Sequence, residues 1–178
     1  KKESEACDCE RPEFVRNVVD PINGLKGDLL PVSAFAGRED GTWDNGTSAY
    51  EKRGIAVSVP EWIPENCIQC NQCAYVCPHA VIRPFLMTDE EAAGFGGKTV
   101  QGNGPAKDYK FSIQISPLDC TGCGNCVDVC PAKTKAIVMK PLESQLGEQS
   151  NWDYMTKNVG YKDTVMDKTK TVKGSQFA

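Results

Sequence analysis

Cys67-Ile-Gln-Cys70-Asn-Gln-Cys73-Ala-Tyr-Val-Cys77-Pro78 and Cys120-Thr-Gly-Cys123-Gly-Asn-Cys126-Val-Asp-Val-Cys130-Pro131 are the two stretches that decide the fold. Both have the spacing C-x2-C-x2-C-x3-C-P, the bacterial pattern for two cubane iron–sulfur clusters. Three thiolates of one loop can each bind a different iron, and the fourth cysteine binds the other cluster. We therefore expect two [4Fe-4S] clusters, the first held by Cys67, Cys70, Cys73 and Cys130 and the second by Cys77, Cys120, Cys123 and Cys126.

Other uses of these cysteines fit the spacing less well. Structural zinc sites need pairs of Cys or His that are usually a dozen or more residues apart. Here a third cysteine follows each pair after two residues, and the chain has one histidine, His79. Disulfide frameworks are typical of small secreted domains, but no secretory hydrophobic region precedes this sequence. A three-iron cluster would be expected if the second cysteine of a run were missing, and Cys70 and Cys123 are both present.

Several residues near the runs are expected to have simpler roles. We interpret Cys7 and Cys9 as free thiols on a mobile end, and His79 as an ordinary surface or packing residue rather than a titrating or metal-binding group. Gly122 and Gly124 should allow the backbone to approach the second cluster and direct N–H groups at sulfur. A shell of apolar residues should exclude water from the clusters: Ile68, Tyr75, Val76, Val127 and Val129.

Composition and charge exclude several classes of function. The 178 residues carry a net charge of -4 and no Lys/Arg cluster, which argues against a nucleic-acid partner. The longest apolar stretch, around residues 74–87, is interrupted by proline, histidine and arginine, so no membrane span is expected. Ten cysteines without an export signal indicate a reducing, cytoplasmic setting. No Ser-His-Asp set, phosphate loop or carboxylate pair is visible, so the sequence offers no site for breaking bonds in a substrate. With two expected clusters, the chain should carry electrons.

An internal repeat predicts the architecture. The offset that aligns the cysteines also aligns Pro64 with Pro117 and Pro78 with Pro131. Each half should read strand, cluster loop, helical turn, strand, with strands expected near residues 55–59, 81–87, 109–115 and 136–140. This predicts an α+β fold of the bacterial dicluster ferredoxin type with pseudo-twofold β-α-β halves. We expect an N-terminal docking extension with one short helix (1–50), the ferredoxin-like domain (51–142) and an extended C-terminal tail (143–178).

Segments beyond the cysteine spacing are also distinctive: Arg11-Pro-Glu-Phe-Val-Arg-Asn-Val, Leu30-Pro-Val-Ser-Ala-Phe35, Tyr50-Glu-Lys-Arg-Gly-Ile-Ala-Val57, Pro60-Glu-Trp-Ile-Pro-Glu-Asn-Cys67, Leu118-Asp-Cys-Thr-Gly-Cys-Gly-Asn-Cys126 and Lys173-Gly-Ser-Gln-Phe177. In these segments the chain closely resembles pyruvate:ferredoxin (flavodoxin) oxidoreductase. The resemblance covers about residues 11–85, 109–142 and the C-terminus. The first ten residues and the loop at 94–107 depart from it.

The resemblance implies that the chain is the ferredoxin-like part of a longer enzyme. In that family thiamine diphosphate attacks pyruvate, CO2 leaves, and electrons pass through three [4Fe-4S] clusters to an external ferredoxin or flavodoxin while acetyl-CoA forms. The eight cysteines would bind the medial and distal clusters, and the proximal cluster and thiamine diphosphate would belong to a part after Ala178. The remaining domains of the parent enzyme would be partners. Two alternatives stay open: an independent two-cluster ferredoxin, and a ferredoxin-like subunit of another 2-oxoacid oxidoreductase.

Overall fold

A computed structural model describes residues 11–167 and 169–177, and the chain divides into two compact units, residues 1–52 and 53–178. Cys7 and Cys9 lie outside the described residues, so their interpretation as free thiols stays a prediction.

The first unit contains the short helix that the sequence predicts, although its first part has the wider π-helical winding. The π segment, Val15–Val19, continues into helix α1, Asp20–Asn23, with Pro21 in its first turn. Short 3-10 turns follow at Gly27–Leu29, Val32–Phe35 and Thr47–Tyr50.

Two arginines hold the first unit together. Arg11 donates to Asp20 at 2.7 Å and to the carbonyl oxygen of Tyr50 at 3.1 Å, which links the helix to the end of the unit. Arg38 lies 3.8 Å above the centre of the Phe14 ring and donates to both carboxylate oxygens of Asp44 at 2.9 Å. A cation held over an aromatic face and paired with a carboxylate stabilises a segment that has little regular structure.

The described part of the second unit contains two antiparallel sheets. Strand β1, Ser58–Trp62, pairs with β5, Ile137–Pro141, and Trp62 lies opposite Ile137. Strands β2, Ile82–Met87, β3, Val100–Gln101, and β4, Lys110–Ile115, form a second sheet in the order β2-β4-β3. Strand β2 is an edge strand, which explains how Pro84 is tolerated inside it. Strand β1 begins at Ser58, later than the alternation at residues 55–59 predicts.

Short α-helical segments accompany the strands, and most are one turn long. In the second unit they are α2, Gln72–Tyr75; α3, Asp89–Ala93; α4, Asn125–Asp128; α5, Leu142–Gln145; α6, Glu148–Asn158; and α7, Val172–Ser175. Short 3-10 turns lie at Pro64–Asn66 and Gly104–Ala106.

Strand β4 is central to the core, and both of its faces are buried. Phe111 and Ile113 face the main apolar cluster. In this cluster the ring of Phe111 packs edge to face against the ring of Trp62, which belongs to the other sheet, with 6.1 Å between the ring centres. Ser112 and Gln114, which the alternating pattern suggests would be solvent-facing, are also buried. The side-chain N–H of Gln114 donates to Ser112 at 2.7 Å, and Ser112 donates to the carbonyl oxygen of Lys98 at 2.8 Å, so these two donors are paired inside the protein. Oε1 of Gln114 has no partner within the described part of the chain.

Within residues 143–167 and 169–177, the chain does not form the extended tail that the sequence predicts. Helix α6 packs against β4, and its Trp152 and Met155 are buried. The physical reason is that the second face of β4 would otherwise be exposed to water, and α6 covers it. Gln149 of α6 reaches Ser116 at 3.0 Å, where the two side chains form a hydrogen bond.

Glu91 joins α3 to the C-terminal segment. The spacing of Thr88 and Glu91 is that of a capping box, and one forms: the backbone N–H of Thr88 donates to the Glu91 carboxylate at 2.8 Å. The same carboxylate accepts from the backbone N–H of Gly160 at 3.2 Å and from the ammonium of Lys162 at 2.9 Å. Burial alone would raise the pKa of Glu91, but these hydrogen bonds and the Lys162 charge together lower it below its ordinary value.

Within the two described ranges, no helix is both long enough and apolar enough to cross a membrane.

Replacing Glu91 with Gln should lower the free energy of unfolding of the second unit by about 1–3 kcal/mol, because three donors lose a charged acceptor. The lowered pKa means that this contribution is present above the ordinary value of 4.5 and is lost as the pH falls through the lowered value. Anaerobic urea unfolding followed by tryptophan fluorescence measures it at neutral pH. Glu90→Gln, an exposed position in the same helical turn, is the matched control. Equal midpoints for the two variants would contradict the role of Glu91.

Candidate functional site

The two cysteine runs share one backbone conformation. In the first run Gln69 and Asn71 have positive φ angles of 58° and 63°, and in the second run Gly122 and Gly124 have φ angles of 73° and 81°. These are equivalent positions of the repeat, so the same left-handed turns recur with glycine in one run and without it in the other. The sequence predicts that the two glycines allow the backbone to approach a cluster, but no local signal marks Gln69, since glutamine rarely adopts this conformation.

The left-handed turns direct backbone N–H groups at cysteine sulfurs. The N–H of Gln69 donates to Sγ of Cys67 at 3.4 Å, and the N–H of Gly122 donates to Sγ of Cys120 at 3.3 Å. A third N–H, that of Val81, donates to Sγ of Cys77 at 3.4 Å. Such bonds stabilise negative charge on sulfur, which favours both metal ligation and the reduced state of a bound cluster.

The cysteines line two separate cavities, each with members from both runs. The first cavity is lined by Cys67, Cys70, Cys73 and Cys130, and the second by Cys77, Cys120, Cys123 and Cys126. Helix α2 of the first run and helix α4 of the second run, which follow the left-handed turns, pack against each other. The structure thus brings together all eight cysteines of the two motifs.

The apolar lining of the cavities comes mainly from the strands. Trp62, Ile113 and Ile137 line the first cavity, and Pro60, Val81, Ile82 and Met139 line the second. The sequence predicts this role for residues of the cysteine runs. Ile68 does line the first cavity, although it is 56% exposed, whereas Tyr75 is 38% exposed and is not among the residues that line either cavity. Residues of a short surface loop cannot all face inward, so the sheets supply much of the shell.

Burial and neighbouring sulfurs strongly affect the thiols. Burial, together with the negative charges of Cys67, Cys70 and Cys126, raises the pKa of Cys73 to about 12. Burial and the charge of Cys120 raise the pKa of Cys126 to about 11. Without metal these thiols therefore keep their protons at neutral pH, and only a bound cation makes the thiolates favourable. The two cavities are neighbours, because α2, which contains Cys73, packs against α4, which contains Cys126.

Gln69, which no sequence motif singles out, links the first run to strand β3 and to the loop that follows it. Its side chain donates to the carbonyl oxygen of Gln101 at 2.8 Å and accepts from the backbone N–H of Asn103 at 3.0 Å. Lys173 of α7 donates to the Asn103 side chain at 3.4 Å. Burial lowers the pKa of Lys173, while the negative charges of Cys70 and Cys67 oppose this shift. A cation is therefore placed near the first cavity.

The donor set fits two multi-iron clusters. Among the described residues, no group of three or more His, Cys, Asp or Glu side chains is arranged to hold a single metal ion. In a cubane cluster each thiolate binds a different iron, so its ligands need not converge on one point. His79 is exposed and lies at the edge of the second cavity.

Family comparisons agree with this geometry and define the class of protein. Residues 66–136 and residues 112–170 each match a family described as a 4Fe-4S dicluster domain. Residues 1–56 match EKR, described as a domain of unknown function. The second unit is therefore a ferredoxin-like domain for two [4Fe-4S] clusters, built from mixed helices and small sheets.

The chain is homologous to a segment of the pyruvate-flavodoxin and pyruvate:ferredoxin oxidoreductases. It is 54% identical over 170 residues to the pyruvate-flavodoxin oxidoreductase of Klebsiella pneumoniae, an alignment that covers 93% of this chain and 14% of that protein. It is 52% identical over 179 residues to the pyruvate:ferredoxin oxidoreductase of Moorella thermoacetica, covering 98% and 15%. A mitochondrial pyruvate dehydrogenase [NADP(+)] of Euglena gracilis is 43% identical over 171 residues, covering 93% and 9%. The chain thus spans about one seventh of the first two relatives.

Replacing Gly122 with Ala should disrupt the second cysteine run. Its φ angle of 73° is strained for alanine, and a Cβ would lie 2.8 Å from the carbonyl oxygen of Ser58. Gly124→Ala is the matched control, because its φ angle of 81° imposes similar strain but no atom lies within 4 Å of the new Cβ. We expect a loss of about 1–2 kcal/mol in the control from the left-handed conformation alone, and a larger loss with reduced iron content in Gly122→Ala. Anaerobic unfolding and iron analysis of both variants measure this, and equal behaviour would show that the Ser58 contact is unimportant.

Proposed function

We propose that this chain is an electron-transfer module that relays electrons from the oxidative decarboxylation of pyruvate to an external ferredoxin or flavodoxin. The observation that carries the proposal is the pair of neighbouring cysteine-lined cavities. A bound [4Fe-4S] cluster accepts and releases one electron at a time. The pyruvate site, with thiamine diphosphate and a further cluster, would lie in other domains of the parent enzyme.

The residues of the chain have three tasks in this function. The cysteine thiolates bind iron, and the backbone N–H groups of residues such as Gln69 and Gly122 stabilise their negative charge. The apolar residues of the strands limit access of water to the cavities, which sets the range of reduction potential. None of these tasks requires a general base or a substrate pocket in this chain.

We further propose that the ligands are shared between the runs. Cys130 would complete the first cluster with Cys67, Cys70 and Cys73, and Cys77 would complete the second with Cys120, Cys123 and Cys126. The grouping of the same cysteines around the two cavities supports this assignment. The pairing of β1 with β5 and of β2 with β4, each across the two halves, supports the proposed pseudo-twofold arrangement.

The proposed organisation keeps the expected boundary near residue 50, with a preceding segment that serves the parent enzyme. The expected boundary at residue 142 is given up, because α6 packs against β4 of the ferredoxin-like domain. Partners would be the remaining domains of that enzyme and the external carrier protein, in the cytoplasm. An independent ferredoxin is the less favoured alternative, because the aligned segments of the relatives belong to much longer oxidoreductases.

Replacing Cys130 with Ala should perturb the first cluster more than the second, although Cys130 belongs to the second run. The reciprocal variant, Cys77→Ala, should perturb the second cluster more than the first. Iron and sulfide analysis, with a crystal structure of each reconstituted variant, measures the outcome. Unchanged wild-type protein should hold about eight irons per chain. A first cluster left intact in Cys130→Ala would refute the shared ligation.

Electron relay is tested with the reconstituted chain under anaerobic conditions. It should accept electrons from dithionite and pass them to a ferredoxin or flavodoxin, which is followed by the cluster absorbance. Given pyruvate, coenzyme A and thiamine diphosphate, the chain alone should neither release CO2 nor lose its oxidised absorbance, whereas the complete enzyme should do both. Reduction of the chain alone by pyruvate would contradict the role of a relay module.

A further inference from the structure

Asn71 has a buried amide that the fold of the chain does not use. The residue is 2% exposed and lines the first cavity beside Cys70. Neither its Nδ2 nor its Oδ1 has a hydrogen-bond partner within the described part of the chain. An unpaired amide in a buried position costs free energy, so such a group normally has a partner that belongs to the site.

The usual structural reason for an asparagine at this place does not apply. Asn71 precedes α2, and an asparagine there commonly caps a helix through its side chain. Here the side chain makes no capping hydrogen bond. The left-handed φ angle of 63° favours asparagine over most residues, but glycine satisfies it better, as at the equivalent Gly124.

We propose that the side-chain amide of Asn71 donates an N–H···S hydrogen bond to a sulfur of the first [4Fe-4S] cluster and raises the reduction potential of that cluster alone. This rests on the proposed function, since it requires a cluster in the first cavity. The cluster sulfides and cysteine thiolates are acceptors, so Nδ2 and not Oδ1 faces them. Reduction adds one negative charge to the cluster, and a donor hydrogen bond stabilises that charge.

The two runs differ at this position in a way that makes the effect specific. Gly124 lines the second cavity and has no side chain to donate. No atom lies within 4 Å of a Cβ built on Gly124, and its φ angle of 81° is one that asparagine tolerates. The chain therefore offers a reciprocal exchange: Asn71→Gly removes the amide without backbone strain, and Gly124→Asn introduces one.

The decisive experiment is an anaerobic redox titration of the reconstituted chain with dithionite, followed by EPR. In Asn71→Gly we expect the ratio of reduced to oxidised first cluster, at a fixed potential near its midpoint, to fall about three- to tenfold. The second cluster should be unchanged. In Gly124→Asn the ratio for the second cluster should rise. An unchanged first-cluster potential in Asn71→Gly, or equal shifts of both clusters, would overturn the proposal.

A measurement on the unaltered sequence covers the case in which Asn71→Gly loses its first cluster. Protein labelled with 15N in its asparagine side-chain amides should show a 15N coupling to the reduced first cluster in pulsed EPR. Absence of that coupling would overturn the proposal. Iron analysis separates this failure from failure of the proposed function, because a chain with about eight irons and no coupling still contains both clusters.

Discussion

Each cysteine-lined cavity contains a residue from the opposite cysteine run, and the rest of the second unit depends on this exchange. Cys130 lies with the first run and Cys77 with the second. The strands that flank the runs pair in the same crossed manner, β1 with β5 and β2 with β4. Neither half can therefore form its site or its sheet alone. Metal binding and folding should be strongly linked. The raised pKa values of the Cys73 and Cys126 thiols mean that the thiolate forms are unfavourable in the folded chain unless metal is bound.

The crossed halves leave one face of β4 uncovered, and the C-terminal segment covers it. Trp152 and Met155 are buried in α6, and Glu91 connects α3 to the chain beyond α6 through Gly160 and Lys162. The segment continues to α7, where Lys173 meets Asn103 near the first cavity. The C-terminal segment is thus part of the structure that holds the cysteine motifs in place.

The sequence predicts the features that are encoded locally. The cysteine spacing identified the cofactor, Thr88 and Glu91 gave the capping box, and the alternation at Tyr109–Ile115 gave the central strand. Features that depend on tertiary packing could not be predicted in this way. Ser112 and Gln114 are buried because a helix covers the second face of β4. That helix, α6, buries Trp152 and Met155 in an otherwise polar sequence, so its sequence gives little sign that it packs on a strand. The turn at Gln69 could be found only by alignment with Gly122 through the internal repeat.

The exposure of Cys123 has a chemical consequence. Cys123 is exposed, whereas Cys120 and Cys126, which line the same cavity, are buried. The five other cysteines of the two runs are partly buried. Dissolved oxygen and thiol-alkylating reagents reach a thiolate in proportion to its accessibility. In this chain, oxidative damage should therefore begin at the corner of the second cavity where Cys123 lies and reach the first cavity later.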